Sequence, residues 1–303
     1  MNAPTVDIVI VNWNSGAYLS ACIQSIEAVE HRGYRIARVI VVDNASADDS
    51  ANVASTTLPL QVVRNAQNVG FGAACNGGAR MGDSDLILFL NPDTRLQPSS
   101  LTESVPHFGD RADVWVVGAA LIDGGGRVQR SCARAVTGPR MIAHAIGIDR
   151  VLPSFGYVIS DWPHDKTRLV DHVIGAFYLM RRAAFERLNG FDERFFVYLE
   201  DLDLSTRVRE AGGKCLFVRE ATAFHAGGGT TRSIKATRLF YSVRSRLQFS
   251  AKHLSALSNA AVWAISLTIE PLLRTLLALA HGSVRETSDV WSAYSKLVRW
   301  VVR

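Results

Sequence analysis

The strongest constraint on this 303-residue chain is the punctuation of its first third, where apolar runs of strand length alternate with segments of helix length. Residues 6–12, 37–43, 60–64 and 85–91 read as buried strands, and residues 17–28, 48–55 and 72–81 as the helices between them. That order predicts a parallel, doubly wound sheet with right-handed crossovers, because parallel neighbours cannot be joined by a tight turn. Ligands of such sheets bind beyond the carboxyl ends of the strands, so the residues there are the first candidates for function. In this chain those ends are polar: Asn12-Trp13-Asn14, Asp43-Asn44-Ala45-Ser46, Asn65 and Asn91-Pro92-Asp93.

Further along, residues 114–120, 127–133, 170–181 and 214–218 are expected to extend or flank the sheet, and residues 183–188 and 201–211 to be helical. Residues 137–166 mix Gly, Pro and aromatics without period, which predicts a flexible loop on the substrate side. After Thr231 the pattern turns helical over 235–253 and 258–280. This gives a catalytic domain over 1–231 and a helical extension over 232–303. The overall charge of +5 belongs to that extension, where eleven basic residues face three acidic ones; residues 1–231 are net −3. A nucleic-acid binder would need basic surface interleaved with exposed aromatics or a recognisable module, so nucleic acid is not an expected partner.

Cys22, Cys75, Cys132 and Cys215 stand far apart with no paired spacing, as suits a reducing compartment. The N-terminus has no basic segment leading into an apolar one, so no secretion signal is expected. The apolar stretch 260–280 is broken by Glu270, Pro271 and Arg274, and is expected to lie on a membrane or pack as a helix rather than cross.

Several clusters could carry chemistry. Asp93, on a Pro-stiffened turn after a buried strand, suits Mg²⁺ or Mn²⁺ with phosphates completing the shell, although Asn-Pro-Asp also closes strands as a plain turn. Asp43 could accept from a base or ribose, while residues 46–50 read as an ordinary helix cap. Asn68-Val-Gly-Phe-Gly72 lets a helix start approach a ligand closely, yet lacks the order of a dinucleotide or P-loop motif. Glu200-Asp201-Leu202-Asp203 opens a helix. Asp203 there fits a dipole role, whereas an enclosed carboxylate from the adjacent pair could act as general base. His225, before Gly227-Gly228-Gly229, is either structural or a ligand for metal or diphosphate.

Taken together, Val11-Asn-Trp-Asn14, Val42-Asp-Asn-Ala-Ser46, Asn68-Val-Gly-Phe-Gly72, Leu90-Asn-Pro-Asp-Thr94, Gly175-Ala-Phe, the run from Gly190 to Phe196, Glu200-Asp-Leu-Asp203 and His225 resemble the family 2 glycosyltransferases, and most closely their bacterial rhamnosyltransferase-like branch. The resemblance covers residues 5–231. It implies the GT-A fold, an α/β mixed sheet flanked by helices, here with a C-terminal helical extension. It also implies an inverting transfer of sugar from a nucleotide donor, with Mg²⁺ or Mn²⁺. By similarity, Asn12, Asn14, Asp43, Asn68, Gly70, Asn91 and Asp93 would bind the nucleotide sugar, Asp93 and His225 the metal, and Asp201, with Glu200 beside it, would be catalytic. Asn91 departs from the family's Asp-x-Asp motif and leaves Asp93 as the main metal carboxylate.

The donor implied is dTDP-β-L-rhamnose, with a UDP-sugar (galactofuranose or an N-acetylhexosamine) as the alternative, and the acceptor a polyprenyl-diphosphate-linked sugar or other glycan. A sugar nucleotidyltransferase should carry a glycine-rich basic loop after the first strand, where this chain has Asn12-Trp-Asn-Ser-Gly16. A non-catalytic sugar-nucleotide-binding protein should have lost its acids, yet Asp43, Asp93 and Asp201 remain. The basic, apolar extension is expected to seat on an anionic membrane at the inner face of the cell membrane, or to pack against another copy.

Overall fold

A computed structural model describes residues 3–53, 56–227 and 235–302. They divide into two compact units. The first comprises residues up to 133, 162–193 and 200–230, and the second 134–161, 194–199 and 231–303. Residues 134–161 and 194–199 thus cluster with the C-terminal helices. The expected boundary between 231 and 232 lies outside the described residues.

The first unit begins β1 (Thr5–Asn12), α1 (Ala17–Glu27), β2 (Arg35–Asp43), β3 (Leu60–Arg64), α2 (Phe71–Ala79), β4 (Leu86–Leu90). It continues β5 (Thr94–Leu96), α3 (Ser100–Ser104), α4 (Pro106–Asp110), β6 (Val114–Ile122) and β7 (Cys132–Ala133). In the second unit lies α5 (Gly138–Ile146). The first unit resumes with β8 (Arg168–Val170), β9 (His172–Val173), β10 (Phe177–Arg181), α6 (Arg182–Arg187), α7 (Glu200–Glu210) and β11 (Lys214–His225). The second ends in α8 (Lys235–His253), α9 (Ala256–Leu267), α10 (Ile269–Ala280) and α11 (Val284–Val301).

The main sheet runs β3-β2-β1-β4-β10-β6-β11-β5, with β8 also paired to β11. Strands β1 to β4 are mutually parallel, as their helical crossovers require. β10 then lies antiparallel between β4 and β6, which makes the sheet mixed. Its central strands are covered on both faces, and so β4 is buried at every position. The core under them is aliphatic, from Ile8, Ile10 and Val41 to Leu88, Leu179 and Val218. One charge is set into it. Asp7, fully buried, pairs with Arg182 at 2.8 Å, and Arg182 also donates to the carbonyls of Ala79 and Ser84.

Three expectations are corrected. Of the helix expected over 48–55, the described residues 48–53 hold a single 3-10 turn, Asp49–Ala51, with Asp48 accepting from the N–H groups of Ser50 and Gly16, and residues 54 and 55 lie outside the described residues. The strand expected over 170–181 is cut twice: at Asp171, where pairing passes from β11 on β8 to β7 on β9, and at Gly175, between β9 and β10, whose N–H turns to a carboxylate instead of a strand neighbour. The loop expected over 137–166 contains α5, started by the Thr137 side chain with Pro139 in the first turn and stopped by Gly147 in the left-handed conformation. Met141, Ala143 and Ala145 are its buried side chains.

In the second unit, Glu270 is fully buried between Arg246 and Arg274, each within 2.8 Å. By length and composition alone, Ala256–Ala280 reaches the size of a membrane span, with mean hydropathy 1.5 and 28% of its apolar window buried. Its helical hydrogen bonding is interrupted at Thr268, where α9 ends and α10 begins. Along α10, Ile269, Leu272, Leu276 and Leu279 are exposed.

Candidate active site

Five strands of the first unit, β1, β2, β3, β4 and β11, end at one edge of the sheet. At the end of β1, Asn12 is fully buried, and its amide donates to Asp43 Oδ1 at 2.9 Å, Ser50 Oγ at 2.9 Å and Ser46 Oγ at 3.1 Å. With no exposed surface, Asn12 takes part in binding only by holding Asp43 at the end of β2. Asn14, at φ 49°, ties the two loops together: its backbone N–H donates to Ser46 Oγ and its side-chain Oδ1 accepts from Ala47 N–H. Asn68 is spent in the same way, accepting from Asn44 Nδ2 and from the N–H of Gly70, which caps α2. These amides knit the β1, β2 and β3 loops into one rim around Asp43.

The second cluster lies where β4 and β11 end. Asn91 N–H donates to the carbonyl of Ala176, and Asp93 follows in a tight turn, 7% exposed. His225, the last residue of β11, places Nε2 3.5 Å from Asp93 Oδ1. Gln129 decides the form of that imidazole. Its Nε2 donates to the His225 carbonyl at 2.7 Å, so its Oε1 faces His225 Nδ1 at 2.9 Å and must accept the proton there. Nε2 is then the ring nitrogen that faces Asp93. A carboxylate oxygen beside an imidazole nitrogen fits Mn²⁺ or Mg²⁺, with phosphate oxygens and water supplying the rest. Among the described residues no larger group of His, Cys, Asp and Glu could hold a metal. Of the three glycines that follow His225 in this region, Gly228 and Gly229 lie outside the described residues.

The third cluster opens α7. The chain reaches it through Tyr198 and Leu199, both at positive φ (70° and 64°), a conformation that costs non-glycine residues of order 1–3 kcal/mol each. Asp201 accepts from Gly175 N–H at 2.7 Å and from Leu202 N–H at 2.8 Å. A Cβ on Gly175 would sit 3.3 Å from Asp201 Oδ2, so the glycine allows that approach.

The family model described as Glycosyl transferase family 2 matches residues 7–188 of the chain, which carry the sheet apart from β11, together with its rim. The chain is a family 2 glycosyltransferase. It belongs with the rhamnosyltransferase-like members. The N-acetylglucosaminyl-diphospho-decaprenol L-rhamnosyltransferase of Mycobacterium tuberculosis is 27% identical to it over 261 residues, covering 77% of this chain and 79% of that one. Rhamnosyltransferase WbbL of Escherichia coli is 27% identical over 194 residues, covering 63% and 71%. Among solved structures, the mannosyltransferase PcManGT of Pyrobaculum calidifontis, in complex with GDP-Man and Mn²⁺, superposes with a TM-score of 0.59 at 16% identity, covering 98% of this chain and 88% of that one. The GT-A fold read from the sequence is the fold observed.

The three acids of this glycosyltransferase at the start of α7 have different surroundings. Asp203 is fully buried and paired with Arg207 at 2.8 Å, which in turn donates to the carbonyls of Leu188 and Gly190. Glu200 is buried, its Oε2 has no hydrogen-bond partner, and burial, reinforced by the neighbouring Asp201 and Asp203, pushes its carboxyl well above the usual range. Asp201 alone keeps part of its side chain in solvent, 18%. Sequence reasoning missed two residues of this transferase's site. Gln129 fixes the His225 tautomer from 96 positions away, a pairing with no local signal. His172 approaches Asp201 from a strand only two residues long.

Proposed function

We propose that the transferase moves L-rhamnose from dTDP-β-L-rhamnose to a polyprenyl-diphosphate-linked sugar, with Asp201 as general base. The observation that carries the base assignment is the contrast at α7: of three adjacent acids, only Asp201 is both reachable and oriented by two backbone N–H groups. Its carboxylate takes the proton of the acceptor hydroxyl as that oxygen attacks the anomeric carbon and the bond to the diphosphate oxygen breaks, inverting the configuration. Asp43, held by Asn12, receives the nucleoside. Asp93 and His225 would hold a divalent cation, which when bound would supply Lewis acidity against the charge of the leaving diphosphate. Support for the donor and the lipid-linked acceptor comes from the relatives, among them the mycobacterial decaprenol-dependent enzyme.

In this reading residues 1–231 do the chemistry. Residues 232–303 keep the enzyme peripheral at the cytoplasmic face of the membrane, through the exposed apolar side of α10 and the surrounding basic residues. Purified enzyme offered dTDP-rhamnose, UDP-galactofuranose and UDP-N-acetylglucosamine with Mn²⁺ should turn over the first. Preference for a UDP-sugar overturns the donor, and full turnover by Asp201→Asn overturns the base. Liposome flotation leaving the protein in the soluble fraction at low salt overturns the membrane reading.

A further inference from the structure

Behind Asp201, on the side of the sheet, lies a chain of buried polar groups with no role so far. β9 contributes His172, 4% exposed, whose backbone pairs with Ala133 of β7. Gly118 of β6 makes room for this short strand, since a Cβ there would lie 2.6 Å from Val173. His172 Nε2 is 3.9 Å from Asp201 Oδ2, and its Nδ1 is 2.9 Å from Ser205 Oγ, one turn further along α7. Ser205 Oγ is in turn 3.0 Å from the hydroxyl of Tyr178 on β10.

The proton positions along this chain follow from its two ends. An unprotonated Nε2 would turn its lone pair toward a carboxylate oxygen, so Nε2 carries the hydrogen. Nδ1 must then accept from the Ser205 hydroxyl, and Ser205, its proton spent, accepts from Tyr178. Burial pushes the Tyr178 phenol well up and so keeps it a donor. Burial likewise pushes the His172 imidazole down, against the pull of Asp201, and Arg209 adds to the lowering. The remaining ionisable neighbours are the Cys215 thiol, pushed up by burial to about 12, and Asp171, which pairs with Arg209 at 3.6 Å. Every dipole from Tyr178 to His172 points its positive end toward Asp201.

We propose that His172 is a positioning residue for the base: a neutral imidazole, oriented by Ser205 and Tyr178, that directs an N–H at Asp201 Oδ2 and holds the carboxylate for proton transfer. The inference rests on Asp201 being the base. It uses none of the groups assigned to the nucleotide or the metal, so its loss lowers turnover without weakening donor binding. At 3.9 Å the N–H is longer than a hydrogen bond, which limits the effect to about tenfold, well under that of deleting a general base, about 10²–10⁴-fold.

The test compares kcat and donor KM of the full-length enzyme with dTDP-rhamnose, or with the UDP-sugar that replaces it in the donor panel. His172→Phe keeps the volume and loses the donor, whereas His172→Gln keeps a donor near Nε2. The expected result is a kcat about tenfold lower for His172→Phe with KM within about twofold, and recovery of most of that loss in His172→Gln. A pure packing role predicts the reverse order, since Phe fills the site better; Phe matching the wild type, or Gln no better than Phe, overturns the proposal. Should His172→Phe fail to fold, Ser205→Ala leaves the imidazole in place and removes what orients it. A kcat about threefold lower at unchanged KM is then expected, and an unchanged kcat overturns the proposal. Asp201→Asn in the same series separates the two readings: if it keeps full turnover the base assignment fails, whereas an inactive Asp201→Asn beside an unaffected His172→Phe sinks only the role of His172.

Discussion

Replacing Glu200 by Gln should make the enzyme more stable as the pH rises. In the folded chain this carboxyl is buried, has an unpartnered Oε2 and holds its proton well above the ordinary value of 4.5, because burial and then Asp201 and Asp203 oppose its ionisation. The unfolded chain releases that proton near the ordinary value. Stability from the retained proton is therefore complete below pH 4.5 and is lost as the pH climbs toward the raised folded value, since the unfolded state then binds fewer protons. One proton gives a slope of at most about 1.4 kcal/mol per pH unit, or up to about 2.7 kcal/mol between pH 5 and pH 7. Gln fills nearly the same volume and titrates nowhere in that range, so the wild type should lose ground to Glu200→Gln by that amount. Denaturant melts of the two proteins at pH 5, 6 and 7 measure it. Turnover should stay within about threefold, because a neutral acid is being exchanged for a neutral amide. Parallel stability curves would refute the reasoning, and so would collapse of turnover at neutral pH, since either result means that the carboxyl is ionised in the folded enzyme.

Further outcomes follow from other contacts. Gln129→Leu removes the acceptor that fixes the His225 tautomer, so the Mn²⁺ concentration for half-maximal turnover should rise about 10–100-fold while saturating Mn²⁺ restores the rate. Glu270→Leu strands Arg246 and Arg274 and should cost about 3–5 kcal/mol in a thermal melt, most of it recovered when Arg246→Met is added. Gly190→Ala places a methyl 2.5 Å from Asn76 Oδ1 at a φ of +68°, and should destabilise by about 1–3 kcal/mol, read from the midpoint of urea unfolding.

The legibility of each part depended on how far apart its partners lie in sequence. β3 and α8 have the limits their own patterns give: Leu60 and Val62 pack half-buried against the core and Val243, Leu247 and Phe249 are buried, so each element announces itself locally. Asp43, Asp93 and His225 stood out as strand ends, and the structure puts them at strand ends. What stayed hidden depends on distant partners. Nothing near Asn12 signals that its amide is turned inward to Ser50, and nothing near Glu200 separates it from Asp201 until burial distinguishes them. The two residues of β9 are too few to show a period, and their neighbours lie in β6, β7 and α7. α5 is a different case: its Thr137 cap and Gly147 stop are local, but they lie in a stretch whose glycines, prolines and aromatics have the composition of a loop.

The reversed strand in the middle of the sheet also dictates an order of events during synthesis. Until Phe177–Arg181 has left the ribosome, β4 has a partner on one side only, and its sequence Leu-Ile-Leu-Phe-Leu presents an open, uncharged edge. Such an edge is a template for pairing with other chains. A nascent or truncated chain that stops short of residue 177 is therefore the sticky form of this protein. The same strand that completes the sheet is what makes the chain safe to release, and useful fragments of this enzyme begin only beyond it.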